Sequence, residues 1–229
     1  MFSIAIDGPS GSGKSTLAKT LAKKLGIIYV DTGALYRTVA LAIKNAGIDY
    51  TDETAVVAYL PSIILSATFE EGVQRIFIGN IDVGEQIRTP EIAMMASRVS
   101  SYPEVRAFLL DTQRTIARSN SVVMDGRDIG TVILPNATVK IFLTADNRAR
   151  AKRRHEELLA KGQNVTFEEI LTAMNTRDEN DKNRKVAPAI QAEDAILLDN
   201  SELSLEGTVS AVLDIIKKSP AAAEIPPEV

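Results

Sequence analysis

The fold is decided by the stretch Phe2-Ser3-Ile4-Ala5-Ile6-Asp7-Gly8-Pro9-Ser10-Gly11-Ser12-Gly13-Lys14-Ser15-Thr16 and the ten residues after it. Its first five residues are mostly apolar and include β-branched side chains, which is typical of a buried strand. After Thr16, leucines recur at helical spacing until Gly26, a residue suited to a left-handed helix cap. The stretch therefore predicts a strand, a glycine-rich loop and a helix in direct succession.

Within this stretch, Gly8 to Ser15 fits the phosphate-binding pattern G-x-x-x-x-G-K-[ST]. Glycines let the backbone fold so that successive N–H groups face phosphate oxygens, and the helix adds its positive end. The pattern assigns the β- and γ-phosphates to Lys14 and a Mg²⁺ ion to the Ser15 hydroxyl. A chance glycine–serine turn is the alternative, but the predicted strand before it and helix after it favour a nucleotide-binding loop.

The composition is that of a globular chain. Its 229 residues suffice for one α/β domain with insertions or for two small domains, and 45% of them are hydrophobic. The net charge of −4 argues against a non-specific nucleic-acid binder. Cysteine is absent, which excludes disulfides, zinc–thiolate sites and thiol catalysis. The single histidine, His155, lies in a highly charged helical stretch, where a solvated surface position is expected rather than serine–histidine catalysis.

Neither export nor membrane anchoring is predicted. Met1 leads directly into the first predicted strand, without the charged and apolar regions of a signal peptide. No apolar run is long enough to span a bilayer. We therefore expect a cytoplasmic protein with no membrane partner.

The rest of the chain alternates apolar strands with helices. Further buried strands are predicted at residues 26–30, 121–124, 139–143 and 195–199. Helices are predicted at residues 31–45, 52–59, 89–101, 102–119, 147–161, 167–185 and 205–217. The alternation predicts an α/β fold, in which a five-stranded parallel sheet carries helices on both faces. Ligands of such sheets bind at the carboxyl ends of the strands.

One segment departs from this alternation. Residues 63–69, 73–78 and 81–87 form three short strand-like runs, separated by turn signals at Glu71-Gly72 and Gly79-Asn80. We predict a small antiparallel sheet inserted into the α/β domain. Residues 219–229 are rich in Pro and Ala and have no apolar face, so a flexible tail is expected there.

Four polar clusters accompany the predicted loop. They are Asp31-Thr32-Gly33 with Arg37; Asp125-Gly126-Arg127-Asp128; Arg177, Asp181 and Arg184 on one helical face; and the basic run Arg148, Arg150, Lys152, Arg153 and Arg154. Taken singly, they could be a helix N-cap, a turn, an exposed salt-bridge ladder and a solvated face. Together they suit phosphoryl transfer between two anions, which needs several cations but no strong general base.

These motifs together resemble those of the bacterial cytidylate kinase family, a group of P-loop nucleoside monophosphate (NMP) kinases. The resemblance spans the chain to about Lys218 and rests on Gly8 to Thr16, Asp31 to Arg37, Asp125 to Thr131, and Arg177-Asp178-x-x-Asp181-x-x-Arg184-x-x-x-Pro188. It implies one P-loop kinase domain over residues 1–218. This domain would comprise a core at 1–60, 88–147 and 165–218, an inserted antiparallel NMP-binding sheet at about 61–87, and a helical lid at about 148–164.

The resemblance also implies substrates and residue roles. ATP with Mg²⁺ would be the donor, CMP or dCMP the acceptor, and the protein a monomer. ATP contacts would come from Gly8, Pro9, Ser10, Gly11, Ser12, Gly13, Lys14, Ser15 and Thr16, with Ser15 on the metal, and from the lid arginines Arg150, Arg153 and Arg154. Cytosine would be bound by Ser97, Arg106 and Asp128, the ribose hydroxyls by Arg177 and Asp181, and the acceptor phosphate by Arg37, Arg127 and Arg184. Thr32 stands where many members have serine, and this replacement keeps the hydroxyl group of the acceptor site. Lys14, Arg127 and Arg184 would be catalytic.

The base assignment is chemically reasonable in itself. Cytosine presents an exocyclic amine, which suits a carboxylate, beside two acceptors, which suit Arg or Ser donors. Uracil has a carbonyl in place of the amine. Asp128 would then face an acceptor, which disfavours UMP by about 2–4 kcal/mol.

Three alternatives stay open from the sequence alone. The first is a P-loop kinase for UMP, AMP or shikimate, although the glycine triplet of shikimate kinases is absent. The second is a nucleotide-switch GTPase, which needs Asn-Lys-x-Asp, whereas Asn180-Asp181-Lys182-Asn183 has a different order. The third is a non-catalytic nucleotide sensor, which would not need the acceptor-side arginines.

Overall fold

A computed structural model of the chain describes residues 1–70, 72–160 and 162–219. The strands are β1 (Ser3–Asp7), β2 (Ile28–Asp31), β3 (Leu65–Glu70), β4 (Val73–Ile78), β5 (Ile81–Asp82), β6 (Val122–Gly126), β7 (Val139–Thr144) and β8 (Ile196–Asp199). The helices are α1 (Lys14–Leu25), α2 (Thr32–Asn45), α3 (Glu53–Tyr59), α4 (Pro90–Val99), α5 (Pro103–Ser119), α6 (Asn147–Ala160), α7 (Phe167–Asn183) and α8 (Leu205–Lys218). None of these helices is long and apolar enough to cross a membrane.

The predicted five-stranded parallel sheet is confirmed. Its strand order is β2-β6-β1-β7-β8, and all neighbouring strands run parallel. Apolar side chains of α1 and α8, including Leu21 and Val212, pack on one face of the sheet. On the other face, Met124 of β6 packs with the turn after that strand and with part of α5. Helices therefore cover both faces, and the polar residues that end β1, β2 and β6 share one edge.

The edge strand β8 differs from its prediction. Its apolar sequence indicates a buried strand, but Ile196 is 45% exposed and Leu197 is 56% exposed. The physical reason is strand order, because within residues 1–70, 72–160 and 162–219 β8 pairs with β7 alone and forms the edge of the sheet. The prediction of a buried strand is wrong at this position.

The inserted sheet is confirmed, with one shorter strand than predicted. It has the order β3-β4-β5 and is antiparallel throughout. The strand predicted over residues 81–87 ends at Asp82, since the Asp82 carboxylate accepts the N–H of Gly84 at 2.9 Å and turns the chain into a short 3₁₀ helix, Gln86–Arg88. Ile76 and Ile87 join the main core cluster with α2, so the small sheet is packed on the domain. Of its predicted turns, Glu71 lies outside the described residues.

Helices α6 and α7 pack together through a small core of their own, formed by Ala151, Ile170 and Met174. A capping box between Thr166 and Glu169 starts α7. Most of the predicted lid (about 148–164) is therefore helix α6, which packs on α7. The predicted tail lies almost wholly outside the described residues, which end at Ser219.

Candidate active site

The glycine-rich loop joins β1 to α1 as the sequence predicts. Gly8 has φ +147°, and a Cβ there would lie 2.0 Å from the carbonyl oxygen of Leu143 on β7, so only glycine fits. Gly13, at φ +90°, precedes α1 without a side-chain cap. The first N–H groups of α1 are therefore left for a ligand, which is the arrangement that binds phosphate.

Lys14 lies folded over this loop. Its Nζ donates to the carbonyl oxygen of Pro9 at 2.6 Å and to Oγ of Ser12 at 3.3 Å. Burial, reinforced by the nearby charge of Arg127, holds the pKa of Lys14 well below its usual value. A triphosphate would reverse this effect, because its negative charge favours the protonated amine.

Ser15 contacts a carboxylate that the sequence analysis left without a role. Its Oγ donates to Asp125 Oδ2 at 2.8 Å, and the hydroxyl of Tyr29 donates to Asp125 Oδ1 at 2.8 Å. Burial and the charge of Asp31 raise the pKa of Asp125. A bound cation would oppose that shift, so the pair is chemically suited to one.

The donor set fits Mg²⁺ and not a closed protein metal cage. Within residues 1–70, 72–160 and 162–219, no three metal-ligating His, Cys, Asp or Glu side chains come together. Mg²⁺ accepts one or two protein oxygens and takes the remainder from water and substrate phosphates. Ser15 and Asp125 supply two such oxygens beside the phosphate-binding loop.

Asp7, the last residue of β1, positions the turn that follows β6. Its carboxylate accepts the N–H groups of Ile129 at 2.8 Å and Gly130 at 2.7 Å. These residues open a five-residue π-helical turn, Ile129–Ile133, that the sequence analysis did not predict. Burial raises the pKa of Asp7 from 3.8 to about 6 despite these two hydrogen bonds. The turn directly follows Asp128, so Asp7 acts on the site through the backbone.

All nine predicted acceptor-site residues line one pocket. It lies between the N-terminal half of α2, helix α4, the end of β6 and the C-terminal half of α7. Its lining includes Thr32, Arg37, Ser97, Arg106, Arg127, Asp128, Arg177, Asp181 and Arg184. Residues far apart in sequence thus meet in one cleft that contains five arginines and two aspartates.

Asp128 is the buried anion of this pocket. Only 3% of the residue is exposed, and its carboxylate pairs with Arg106 on one oxygen and with Arg184 Nη2 at 3.3 Å on the other. The guanidinium of Arg106 also lies over the ring of Tyr36, 5.3 Å from its centroid. The carboxylate is therefore fixed by two cations at the pocket wall.

Arg127 and Asp181 form a second pair across the pocket. Arg127 Nε donates to Asp181 Oδ2 at 2.8 Å, while Arg184 Nη1 lies 4.0 Å from Asp181 Oδ1. Arg177 lines the same pocket, is exposed, and forms no hydrogen bond or ion pair with any residue in the described ranges. The helical face predicted for Arg177, Asp181 and Arg184 is therefore turned to the pocket.

Asp31 acts both as a helix N-cap and as a member of a charged cluster, the two interpretations considered for it from the sequence. It caps α2 by accepting the N–H of Ala34 at 2.9 Å, and it pairs with Arg37 Nη2 at 2.9 Å and Arg88 Nη1 at 3.0 Å. Burial favours the neutral acid, but the two arginines and the cap outweigh it and lower the pKa of Asp31. Nε of Arg37 is buried without a partner in the described part of the chain, although the residue faces the pocket.

The Thr32 hydroxyl donates to the backbone carbonyl of Asp125 at 2.7 Å. A Cβ on Gly126 would lie 2.9 Å from that hydroxyl oxygen and 2.7 Å from the side chain of Ile129, so a larger residue would force these side chains to shift where β2, β6 and the following turn converge. Contact between Thr32 and a substrate stays a prediction.

The lid arginines bind protein groups near the loop. Arg150 is 3% exposed and donates to the carbonyl oxygen of Ser10 at 2.6 Å and to Asp178 at 2.5 Å. Arg153 donates to the carbonyl oxygen of Asn200 at 2.7 Å, and Arg154 forms an exposed pair with Glu157 at 2.7 Å. ATP contacts by these three side chains stay predictions.

Asp178 completes a clamp on the phosphate-binding loop, because it also accepts the N–H of Ser10 at 2.8 Å. The sequence analysis quoted Asp178 in a motif and gave it no role. Asp7 and Asp125 were likewise given no role. Each lies at the carboxyl end of a central strand, and that position could have predicted that they belong to the site.

Comparison with known proteins identifies the group to which this site belongs. A family model described as cytidylate kinase matches residues 4–218. The chain belongs to the cytidylate kinase family. A relative named cytidylate kinase from Fervidobacterium nodosum is 47% identical over 215 residues, covering 94% of this chain and 96% of the relative. One of the same name from Leuconostoc mesenteroides is 45% identical over 218 residues, covering 95% and 97%.

The fold itself is shared more widely. The crystal structure of an uncharacterized protein from Eubacterium ventriosum matches with a TM-score of 0.52 at 16% identity, covering 95% of this chain and 99% of that one. At that identity the likeness shows the fold alone.

Proposed function

We propose that this chain transfers the γ-phosphate of ATP to CMP or dCMP, giving ADP and CDP or dCDP. The observation that carries the proposal is that every residue expected to bind the acceptor lines the same pocket, beside the phosphate-binding loop. Family membership supports CMP as the acceptor and ATP as the donor.

On the donor side, the loop from Gly8 to Thr16 binds the phosphates of ATP through backbone N–H groups. Lys14 releases Pro9 and Ser12 and moves its charge to the β- and γ-phosphates. Ser15 and Asp125 would hold Mg²⁺, which would supply positive charge to neutralise the same phosphates. Arg150 and Asp178 hold the loop, and Arg153 and Arg154 contact ATP from the lid.

On the acceptor side, different residues of the one pocket bind the base and the sugar. Asp128 accepts from the exocyclic amine of cytosine, while Arg106 and Ser97 donate to its acceptors. Asp181 and Arg177 bind the ribose hydroxyls. Because Asp128 is buried and already fixed by arginines, it cannot turn away from the carbonyl of uracil without a cost.

The acceptor phosphate is bound by Arg37, Arg127 and Arg184, with Thr32 beside them. Its attacking oxygen is already ionised, so the site needs no general base, and transfer proceeds in line to that oxygen. Lys14, Arg127 and Arg184 stabilise the charge that develops on the transferred group. Closure of the lid (about 148–164) and of the inserted sheet (about 61–87) on the core excludes water and limits ATP hydrolysis.

We further propose that the protein acts as a monomer in the cytoplasm, with no nucleic-acid or membrane partner. Its net charge of −4 supports the first exclusion, and the lack of a membrane-spanning helix in the described ranges is consistent with the second.

The direct test is to follow ³¹P signals in a mixture of ATP, Mg²⁺, CMP and catalytic amounts of the protein. We expect CMP to be consumed and CDP to appear in equal amount with ADP. ADP with inorganic phosphate and unchanged CMP would contradict the proposal, because it would show hydrolysis without an acceptor.

A further inference from the structure

A second cavity lies behind the active site, outside the acceptor pocket. Its volume is about 450 Å³, it is open to solvent on one side, and residues of α1, β2, β4 and the 3₁₀ turn Gln86–Arg88 line it. Its walls are mainly apolar and include Ala22, Ile27, Ile76 and Ile87. Cavities of this volume and character bind small molecules with an apolar body.

The polar groups at this cavity are mostly cationic. Lys19 and Lys23 lie one turn apart on α1, and Arg88 faces them from the inserted segment. Among the described residues of the lining, the only carboxylate is Asp31, which already pairs with Arg88 and Arg37. Within residues 1–70, 72–160 and 162–219, Lys23 forms no ion pair. The charge balance therefore favours an anionic ligand.

Gln74 adds an unused donor. Its Oε1 accepts the backbone N–H of Asp31 at 2.6 Å, whereas its Nε2 is buried and has no partner in the described part of the chain. A buried amide N–H without an acceptor carries a cost that a ligand oxygen would remove.

Two side chains of this cavity reach into the active site from behind. The Tyr29 hydroxyl donates to Asp125, the carboxylate beside Ser15, and Asp31 binds Arg37 of the acceptor pocket. The carboxylate of Asp31 is shared, since Arg37 and Arg88 both donate to its Oδ2. A change at Arg88 therefore alters how firmly Asp31 holds Arg37.

We propose that this cavity is a regulatory site for a small anion with an apolar body, whose acidic group pairs with Lys23 and Arg88. The bound anion competes with Asp31 for Arg88. Asp31 then binds Arg37 more strongly, which makes Arg37 less available to the acceptor phosphate and weakens CMP binding. This regulatory effect rests on the proposed function, whereas the binding itself does not.

The test uses 8-anilinonaphthalene-1-sulfonate, an aromatic anion whose fluorescence rises in apolar sites. We expect saturable binding to the folded protein with saturating ATP analogue and CMP present. Lys23→Glu should weaken it about tenfold by reversing the charge at the rim. Lys24→Glu, the same change one position along α1 and outside the cavity lining, should not. Absence of saturable binding, or equal weakening by both variants, would overturn the site.

A second pair of variants probes the apolar wall. Val73 lines the cavity and is 64% exposed, while Ile81 is 65% exposed on the same small sheet but is not part of the lining. Val73→Asp should reduce binding and Ile81→Asp should leave it unchanged. If Ile81→Asp reduces probe binding and Val73→Asp does not, the probe binds elsewhere on the sheet and the proposal is overturned.

Initial rates test the coupling to the active site. The probe should raise KM for CMP several-fold with KM for ATP unchanged. Arg88→Ala should raise KM for CMP on its own and abolish the further effect of the probe. Probe binding without any change in KM for CMP would overturn the regulatory effect. A protein that binds the probe but never forms CDP would instead refute the proposed function.

Discussion

Nε of Arg127 donates to Oδ2 of Asp181 at 2.8 Å, joining the loop after β6 to helix α7. A cation that we propose to be catalytic, on one element, is thereby held by a carboxylate from another. Asp181 has 11% of its side chain exposed, so removing either partner leaves a largely buried charge unpaired, which costs more than at the surface.

Asp181→Ala is expected to lower kcat and to raise KM for CMP, with a combined loss of about 100-fold in kcat/KM. It removes a proposed ribose ligand and releases Arg127 from its position. Glu179→Ala, an exposed change on the same helix, is the matched control and should behave as wild type. Initial-rate measurements test this prediction. An unaltered kcat in Asp181→Ala would show that the position of Arg127 does not depend on this contact.

Asp128→Asn should reverse part of the base preference. The amide can donate to the uracil carbonyl, and the buried anion that repels it is gone. We expect kcat/KM for CMP to fall about 30- to 1,000-fold, the UMP-to-CMP ratio to rise, and ATP affinity to stay within about twofold of wild type. Kinetics identical to wild type on both CMP and UMP would refute base recognition by Asp128.

Lys14→Ala should reduce turnover by about three orders of magnitude or more, because the γ-phosphate loses its principal protein cation. The fold should persist, since Lys14 bonds only to its own loop. Circular dichroism and thermal melting check this. Lys24→Ala, on the exposed side of α1, serves as the control. Near-normal turnover in Lys14→Ala would remove this residue from the mechanism.

The raised pKa of Asp7 gives a pH dependence with a defined sign. Folding raises this pKa from 3.8 to about 6, so between these pH values the native state binds more protons than the unfolded state. The contribution of Asp7 to the free energy of unfolding therefore falls as pH rises through that window, by about 3 kcal/mol in total.

Asp7→Asn removes this titration. Relative to wild type, the free energy of unfolding of Asp7→Asn should increase by up to about 3 kcal/mol between pH 4 and pH 7. The variant thus becomes more stable relative to wild type as pH rises, and urea denaturation measures the difference. Asp214→Asn, an exposed substitution on α8, should show a constant difference over the same range. A constant difference for Asp7→Asn as well would show that its carboxyl titrates normally.

Local sequence determines much of this molecule. The first strand, loop and helix follow directly from apolar spacing and glycine placement, and all nine acceptor-site residues from the family motifs meet in one pocket. Parallel strands that end at one edge explain why motifs separated by more than a hundred residues converge.

What the sequence did not predict depends on tertiary neighbours. The exposure of β8 follows from its place at the sheet edge, which its own apolar residues do not encode. The π-helical turn after Asp128 depends on two hydrogen bonds to Asp7, on a different strand. ATP contact by Arg150 stays a prediction, and its bonds to Ser10 and Asp178 depend on the contact of α6 with the loop, which local sequence does not encode.

Acceptor selectivity tests the central claim most directly. ADP formation from ATP and Mg²⁺ should be measured with CMP, dCMP, UMP, AMP, GMP and shikimate offered separately. We predict rapid turnover with CMP and dCMP and weak turnover with UMP. Preferential turnover of any other acceptor, or no acceptor-dependent turnover at all, would contradict the account.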